Sequence, residues 1–225
     1  MSEFFLELFS EEIPAGLQKN LREKLLEEFK KFFLNKLIKS KKSFSLSTPN
    51  RLIIVFEGLD KEIKIKPEEI KGPKINAPEQ ALEGFVRSNK IEKKDLFKNK
   101  IEKGEFYFYK TKSKILKTHD LLIEFIPKLL ENYQWKKSMK WGEFDLNWGR
   151  PLKSILSIFN KKIINFKFNH LVSSNSTYVD KDFEDKKKIF TDFKIYEKFF
   201  RKQGIIIDQN KRGKLINREF LKLLN

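Results

Sequence analysis

A stripe of large apolar side chains at helical spacing constrains this chain more than any other feature. Leucine and phenylalanine recur every three or four positions between residues 17 and 37, and a compact apolar run at residues 4–9 precedes them. The spacing predicts one long amphipathic helix that ends near Ile38, and the run predicts a strand. Because a helix of this kind must bury its apolar face, we expect it to pack on a sheet.

Further apolar segments favour strands and helices in an order that is not strictly β-α-β. Strands are expected at residues 44–47, 51–57, 63–66, 106–109, 152–159, 163–168 and 204–207, and helices at residues 78–88, 94–97, 116–133, 190–202 and from 209 onward. We therefore predict an α+β (mixed α/β) fold with largely antiparallel sheets. Small polar residues at 173–176 predict a boundary between a domain at residues 1–172 and a second, basic α/β segment at residues 173–225 that is cut short.

The chain is strongly basic, with 48 lysines and arginines against 31 acidic residues and a net charge of +17. Such an excess favours a polyanionic partner. However, only 7 of the basic residues are arginine, and codon drift in an AT-rich genome is an equally good source of surplus lysine. The excess is not confined to a tail, since residues 161–225 carry 16 basic and 8 acidic residues.

Several chemistries are absent from the sequence. Without cysteine the chain has no disulfide, cysteine-ligated zinc or thiol nucleophile, and it contains none of the motifs of nucleophilic serine or phosphate-binding glycine loops. His119 and His170 lie far apart in the sequence, and no metal-ligand spacing of histidines and carboxylates appears around them, so we expect surface or interface positions and no metal site. No apolar run is long enough to cross a bilayer and no signal peptide is recognisable, so we expect a cytoplasmic protein without a membrane partner.

Two segments have the composition of a binding surface. Residues 48–51 form a turn that delivers Arg51, and residues 136–142 with 148–151 interleave lysine and arginine with tryptophan. Cations beside planar side chains suit a nucleic-acid backbone with exposed bases. The alternative is that the tryptophans belong to the core and the lysines lie at its rim.

Five motifs, in order along the chain, resemble the N-terminal part of the β subunit of bacterial glycyl-tRNA synthetase, the heterotetrameric type. Residues 5–14 resemble L-x-E-I-G-T-E-E-L-P; residues 48–52, T-P-R-R-L; residues 71–73 and 81–87, R-G-P … A-x-x-G-F-A-R; residues 103–106, K-G-E-[YF]; and residues 137–142 with 150–151, K-S-M-R-W-G … F-x-R-P. Asp208 and Arg212 also resemble a later V-I-x-D-x-x-x-R motif.

The sequence departs from the family pattern at a few positions. Phe9 and Ser10 replace a Gly-Thr pair, Asn50 replaces the first arginine of its motif, and Gly149 stands where an aromatic residue is usual. Residues 177–183 resemble T-Y-G-H-R-F but lack its histidine and arginine. Whatever role that His-Arg pair has in the family is therefore not carried over to this chain.

The resemblance implies a subunit of an enzyme, glycine–tRNA ligase, that attaches glycine to tRNA(Gly). It implies that ATP with magnesium is used on the catalytic α subunit, and that this chain binds no cofactor and has no active site of its own. It also implies an α subunit, a second β subunit in an α2β2 assembly and tRNA(Gly) as partners. On this basis the candidate tRNA-binding residues are Arg51, Lys140, Trp141 and Arg150, which either contact tRNA or support the surface that does.

Two other functions remain open at the level of sequence. A stand-alone basic RNA-binding protein would use the same surface without a synthetase partner. An independent hydrolase would need acidic or metal-binding side chains that converge only in three dimensions.

Overall fold

The structure is a computed structural model that describes residues 2–102, 104–135, 137–179 and 186–224. Its strands are β1 Glu3–Ser10, β2 Lys42–Thr48, β3 Arg51–Glu57, β4 Glu62–Ile65, β5 Glu69–Lys74, β6 Leu96–Ile101, β7 Gly104–Lys110, β8 Lys114–Lys117, β9 Leu152–Phe159, β10 Lys162–Ile163, β11 Lys167–Phe168, β12 Leu171–Val172, β13 Ser176–Tyr178 and β14 Lys187–Ile189. Its helices are α1 Ala15–Asn35, α2 Glu79–Asn89, α3 Thr118–Glu131, α4 Phe193–Lys202 and α5 Gln209–Leu223. The predicted α+β class, with a long N-terminal helix and antiparallel sheets, is confirmed.

The described residues divide into two compact units. Residues before 63 and after 116 form the first unit, and Ile63–Leu116 form the second. Residues on both sides of the expected boundary at 172 and 173 lie in the first unit. They are joined there by Ser174, whose backbone bonds to Ile155 and Ser157 of β9. In the described parts of the chain, no helix is long and apolar enough to span a membrane.

The first unit is built on a five-stranded antiparallel sheet in the order β10-β9-β1-β3-β2. The middle strand, β1, is buried on both faces, which explains why its apolar run is nearly continuous. On one face Phe4 packs against Phe29 and Phe33 of α1, with ring centroids 5.1 and 6.4 Å away. On the other face Phe5 packs against Phe193 and Tyr196 of α4, at 5.4 and 4.9 Å.

The long helix α1 follows the predicted apolar stripe but ends at Asn35. Leu37, the last member of the stripe, has a positive φ of 58° and its side chain is 76% exposed. Ile38 lies in the core again. The helix therefore ends about one turn before the apolar stripe in the sequence ends. Next to α1 lies α3, whose Phe125 ring stacks on Phe32 at 3.8 Å.

The second unit contains an antiparallel sheet in the order β5-β7-β6, the helix α2 and most of the paired strands β4 and β8. The strand predicted at residues 106–109, which is made entirely of phenylalanine and tyrosine, belongs to its central strand, β7. The predicted short helix at residues 94–97 is wrong. Lys93–Asp95 form one 3-10 turn, and Leu96 begins β6, because the backbone from this residue onward pairs with β7.

The predicted strand at residues 204–207 is also wrong. The amides of Gly204 and Ile205 close α4 by donating to the carbonyls of Arg201 and Phe200, so they are not available for a sheet. Ile207 nevertheless lies in the core, which accounts for the apolar character of the segment.

Candidate nucleic-acid interface

Several of the motif segments meet at one end of the central sheet. The amide of Ser10 donates to the carbonyl of Asn50 over 2.9 Å, and that of Ile13 donates to Pro49 over 2.7 Å. The amide of Glu11 donates to the carbonyl of Pro151 over 2.9 Å. These backbone hydrogen bonds hold together residues 10–13, 49–50 and 151, which are about 40 and 140 positions apart in the sequence. We call this meeting point the motif junction.

Arg51 lies inside this junction and not on the surface. Its side chain is only 5% exposed, and Nη2 donates to the carbonyl oxygens of Tyr178 at 2.6 Å and Val179 at 3.3 Å. The guanidinium carbon is 4.5 Å from the ring centroids of both Phe9 and Phe200. Since protein groups enclose the guanidinium, we assign Arg51 the supporting role that the sequence left open, in which it anchors the backbone at residues 178–179.

Glu7 is the buried acidic neighbour of Arg51, with Oε2 3.7 Å from the arginine Nε. The Thr177 hydroxyl donates to Oε1 of Glu7. Burial raises the pKa of the Glu7 carboxyl, while Arg51, Thr177 and Tyr196 act in the opposite direction. The pKa of Tyr196 is also raised, first by its own burial and then by the Glu7 carboxylate.

Next to the junction, a cluster of aromatic rings supports the segment from residue 137 to residue 151. Trp148 is 2% exposed, and its ring centroid lies 4.8 Å from Trp135, 5.9 Å from Tyr133 and 5.6 Å from Phe168. The Tyr133 hydroxyl donates to the carbonyl of Leu21, which ties the cluster to α1. The interpretation of the tryptophans as core is therefore correct for Trp148.

Gly149 is required by this packing. A Cβ atom at this position would lie 1.9 Å from Cε3 of Trp135. The indole of Trp135 already occupies the space that a side chain at position 149 would need.

Outside this cluster lies a set of exposed and half-buried side chains that we call the aromatic–basic surface: Met139, Lys140, Trp141, Phe144, Arg150 and His170. Backbone pairing of Met139 with Trp148 holds the segment on the buried cluster. Gly142 has a φ of 55°, in the left-handed region. This conformation allows a turn in which the amide of Phe144 donates to the carbonyl of Trp141. Phe144 is 41% exposed and stacks on His170, with 3.6 Å between ring centroids.

The basic members of the surface differ in how firmly they are held. Lys140 is largely exposed and lies 3.5 Å from Asp145, a weak surface pair that leaves its ammonium accessible. Arg150 is half-buried, and its Nε donates to the carbonyl of Glu12 over 3.1 Å. Its Nη1 lies 3.7 Å from Sδ of Met139. The Arg150 side chain therefore links Glu12, in the motif junction, to Met139 of the aromatic–basic surface.

The structure thus brings together three of the four candidate residues, Lys140, Trp141 and Arg150, and places Arg51 elsewhere. The two residues that sequence reasoning missed are Phe144 and His170. Phe144 carries no distinguishing signal in the sequence. His170 was expected at a surface or interface, but its stacking partner lies 26 positions away and could not be identified from the sequence.

Some predicted features lie outside the described residues. These are Lys103 of the K-G-E motif, Lys136 of the basic segment, and residues 180–183 of the motif that lacks its histidine and arginine. Near the other end of the chain, Asp208 caps α5 by accepting from the amides of Asn210 and Lys211. Arg212 donates to the carbonyls of Ile206 and Ser47, which docks α5 on β2.

The chemistry of the aromatic–basic surface is that of binding. Flat rings offer stacking faces, and Lys140 offers an exposed cation that can reach a phosphate. Across the described residues, no group of three or more histidine, aspartate or glutamate side chains is placed to hold a metal ion.

Comparisons with known proteins name the same family that the motifs resemble. The family model described as glycyl-tRNA synthetase beta subunit matches residues 4–225. The glycine–tRNA ligase beta subunit of Rickettsia peacockii is 38% identical over 225 residues, which cover 100% of this chain and 34% of the relative. Those of Rickettsia conorii and Rickettsia typhi are each 38% identical, over 99% and 100% of this chain and 33% and 34% of the respective relative.

Proposed function

The chain belongs to the glycyl-tRNA synthetase beta subunit family, and from this premise we propose that it acts as the N-terminal part of a glycine–tRNA ligase β subunit. It spans about a third of the length of the relatives that it matches. In this role it binds tRNA(Gly) and assembles with a catalytic α subunit and a second β subunit in the cytoplasm. Glycine activation with ATP and magnesium would take place on the α subunit.

The observation that carries the proposal is the aromatic–basic surface. Exposed cations on the same surface as accessible rings suit RNA, because lysine and arginine neutralise phosphates while rings stack on unpaired bases. The segments that carry the surface, residues 137–150 and 167–172, have four basic and two acidic side chains among the described residues. The net charge of this local surface therefore has the sign that RNA binding requires.

The support beneath the surface is consistent with this role. Arg150 ties it to the junction, and the Tyr133–Trp135–Trp148 cluster ties it to α1. A surface held in place before binding loses less conformational entropy when the ligand arrives.

The experiment measures binding of the 225-residue chain to tRNA(Gly) at several salt concentrations. We expect affinity to fall linearly on a log–log plot, and Lys140→Ala to reduce the slope by about 0.7 to 0.9, the value for one lost phosphate contact. Trp141→Leu should lower affinity severalfold with little change in slope. Lys30→Ala, which removes the same charge from an exposed position of α1, is the matched control and should behave as the wild type.

Assembly is tested separately by co-elution of the chain with a purified α subunit of the same enzyme type. Co-elution together with salt-dependent tRNA binding supports the proposal. Absence of both, in a chain shown by circular dichroism to be folded, would refute it. RNA binding without any α-subunit association would favour the stand-alone RNA-binding protein instead.

A further inference from the structure

The most unusual feature of the aromatic–basic surface is the stack of Phe144 and His170. Their ring planes differ by 10° and their centroids are 3.6 Å apart, although Phe144 is 41% exposed. Aromatic pairs in proteins favour edge-to-face or offset arrangements at larger separations. A parallel pair at this spacing resembles the packing of stacked nucleobases, and here it lies partly open to solvent.

Both rings are held by the structure beneath them. His170 lies at the tip of the β11–β12 hairpin, where Asn169 adopts a φ of 53° and its side-chain oxygen is 3.0 Å from Nδ1 of His170. The preceding residue, Phe168, is buried against Trp148 and anchors the hairpin. Trp141 lies edge-on to the His170 ring at 6.2 Å.

From this geometry we infer that Phe144 and His170 form a stacking site for an unpaired nucleobase. The inference rests on the proposed function, since it identifies which part of an RNA the aromatic–basic surface recognises. An unpaired base offers both a flat face for the rings and an adjoining phosphate for Lys140. A base inside a duplex has both faces covered by its neighbours and cannot extend the stack.

The electrostatic environment fits a neutral stack beside cations. Burial lowers the pKa of His170, which favours the uncharged imidazole at neutral pH. Lys137, Lys140 and Lys167 on the same two segments are exposed and available to the phosphates on either side of the base.

The test measures binding of the 225-residue chain to two RNA probes. One is a short single-stranded RNA carrying 2-aminopurine, whose fluorescence falls when it stacks, and the other is the same RNA annealed to its complement. We expect the wild type to bind the single strand with quenching. Phe144→Leu and His170→Leu should each lower single-strand affinity about tenfold and abolish the quenching, while duplex affinity changes less than about twofold.

Two variants keep the result interpretable. Phe97→Leu makes the same chemical change at another exposed phenylalanine, in the second unit, and should bind both probes as the wild type does. Phe144→Trp retains a flat ring and should restore single-strand binding, so that a folding defect in Phe144→Leu would not decide the outcome.

Each remaining outcome overturns the inference in a recognisable way. If the leucine variants bind single-stranded RNA as the wild type does, the stacking site is refuted while tRNA binding stands. If single-strand and duplex affinities fall equally, the two rings do not select unpaired bases. If the variants keep RNA affinity but no longer co-elute with the α subunit, the surface is a protein interface. If the folded wild type neither binds tRNA(Gly) at any salt concentration tested nor co-elutes with the α subunit, the proposed function itself fails.

Discussion

Nε of Arg51 lies 3.7 Å from Oε2 of Glu7, and both side chains are buried, at 5% and 0% exposure. The two residues come from different family motifs, and antiparallel pairing of β1 with β3 places them diagonally on one face of the sheet. The same arginine reaches the carbonyls of Tyr178 and Val179. Through this one side chain, three separate parts of the sequence share a buried polar contact.

Arg51→Met should therefore lower the free energy of unfolding by about 3 to 5 kcal/mol, because it leaves the buried Glu7 carboxyl without its oppositely charged partner and two backbone carbonyls without their donor. The measurement is urea denaturation followed by circular dichroism. Arg218→Met, at an exposed arginine of α5, should change stability by less than about 0.5 kcal/mol. The double variant Glu7→Gln with Arg51→Met should cost less than the sum of the single variants. A loss below about 1 kcal/mol for Arg51→Met alone would contradict the assigned role.

Glu7 should also make stability depend on pH. Burial raises its pKa in the folded state above the usual value near 4.5, so folding favours the protonated carboxyl. The contribution to stability is fully present below the unfolded pKa and is lost as pH rises through the folded pKa. Relative to the wild type, Glu7→Gln should consequently become more stable as pH rises above about 4.5, which urea titrations at several pH values would measure. A stability difference that does not vary with pH would show that the pKa is not raised.

Gly149→Ala should destabilise the chain by about 1 to 3 kcal/mol, because the new methyl group overlaps the Trp135 ring and one of them must move. Thermal unfolding monitored by tryptophan fluorescence would report both the loss of stability and the disturbed indole. Gly213→Ala, within α5 and with no heavy atom within 4 Å of the added Cβ, is the matched control. It should be neutral or stabilise by about 0.5 to 1 kcal/mol. Equal effects of the two substitutions would be inconsistent with the packing described.

Asp208→Ala should lower stability by about 1 kcal/mol, since it removes the acceptor for two amides in the first turn of α5. Hydrogen exchange of the α5 amides is the direct measurement, and the amides of Asn210 and Lys211 should lose protection first. Asp208→Asn retains a capping oxygen and should keep most of the protection. Unchanged exchange in Asp208→Ala would mean that Arg212, through Ser47 and Ile206, holds the helix without the cap.

Regular elements with a strong local pattern could be predicted well. The apolar period of α1, the continuous apolar run of β1 and the aromatic alternation of β7 each arise from residues adjacent in sequence. Predictions failed where a distant partner decides the conformation. Leu96–Ile101 form β6 only because β7 pairs with them, and residues 204–207 do not form a strand because the amides of Gly204 and Ile205 close α4.

The sequence by itself identified the family, through motifs that occur in a fixed order. It also showed that Lys140, Trp141 and Arg150 lie within one short segment. Only the tertiary structure decided that Arg51 is enclosed and that His170 meets Phe144. The physical reason is that periodicity reports which side of a single element is apolar, whereas burial of a polar group depends on partners supplied by other elements. When Arg51 is buried, its guanidinium exchanges water for the carbonyls of residues 178 and 179 and the ring of Phe200. Each of these groups is more than one hundred positions away in the sequence.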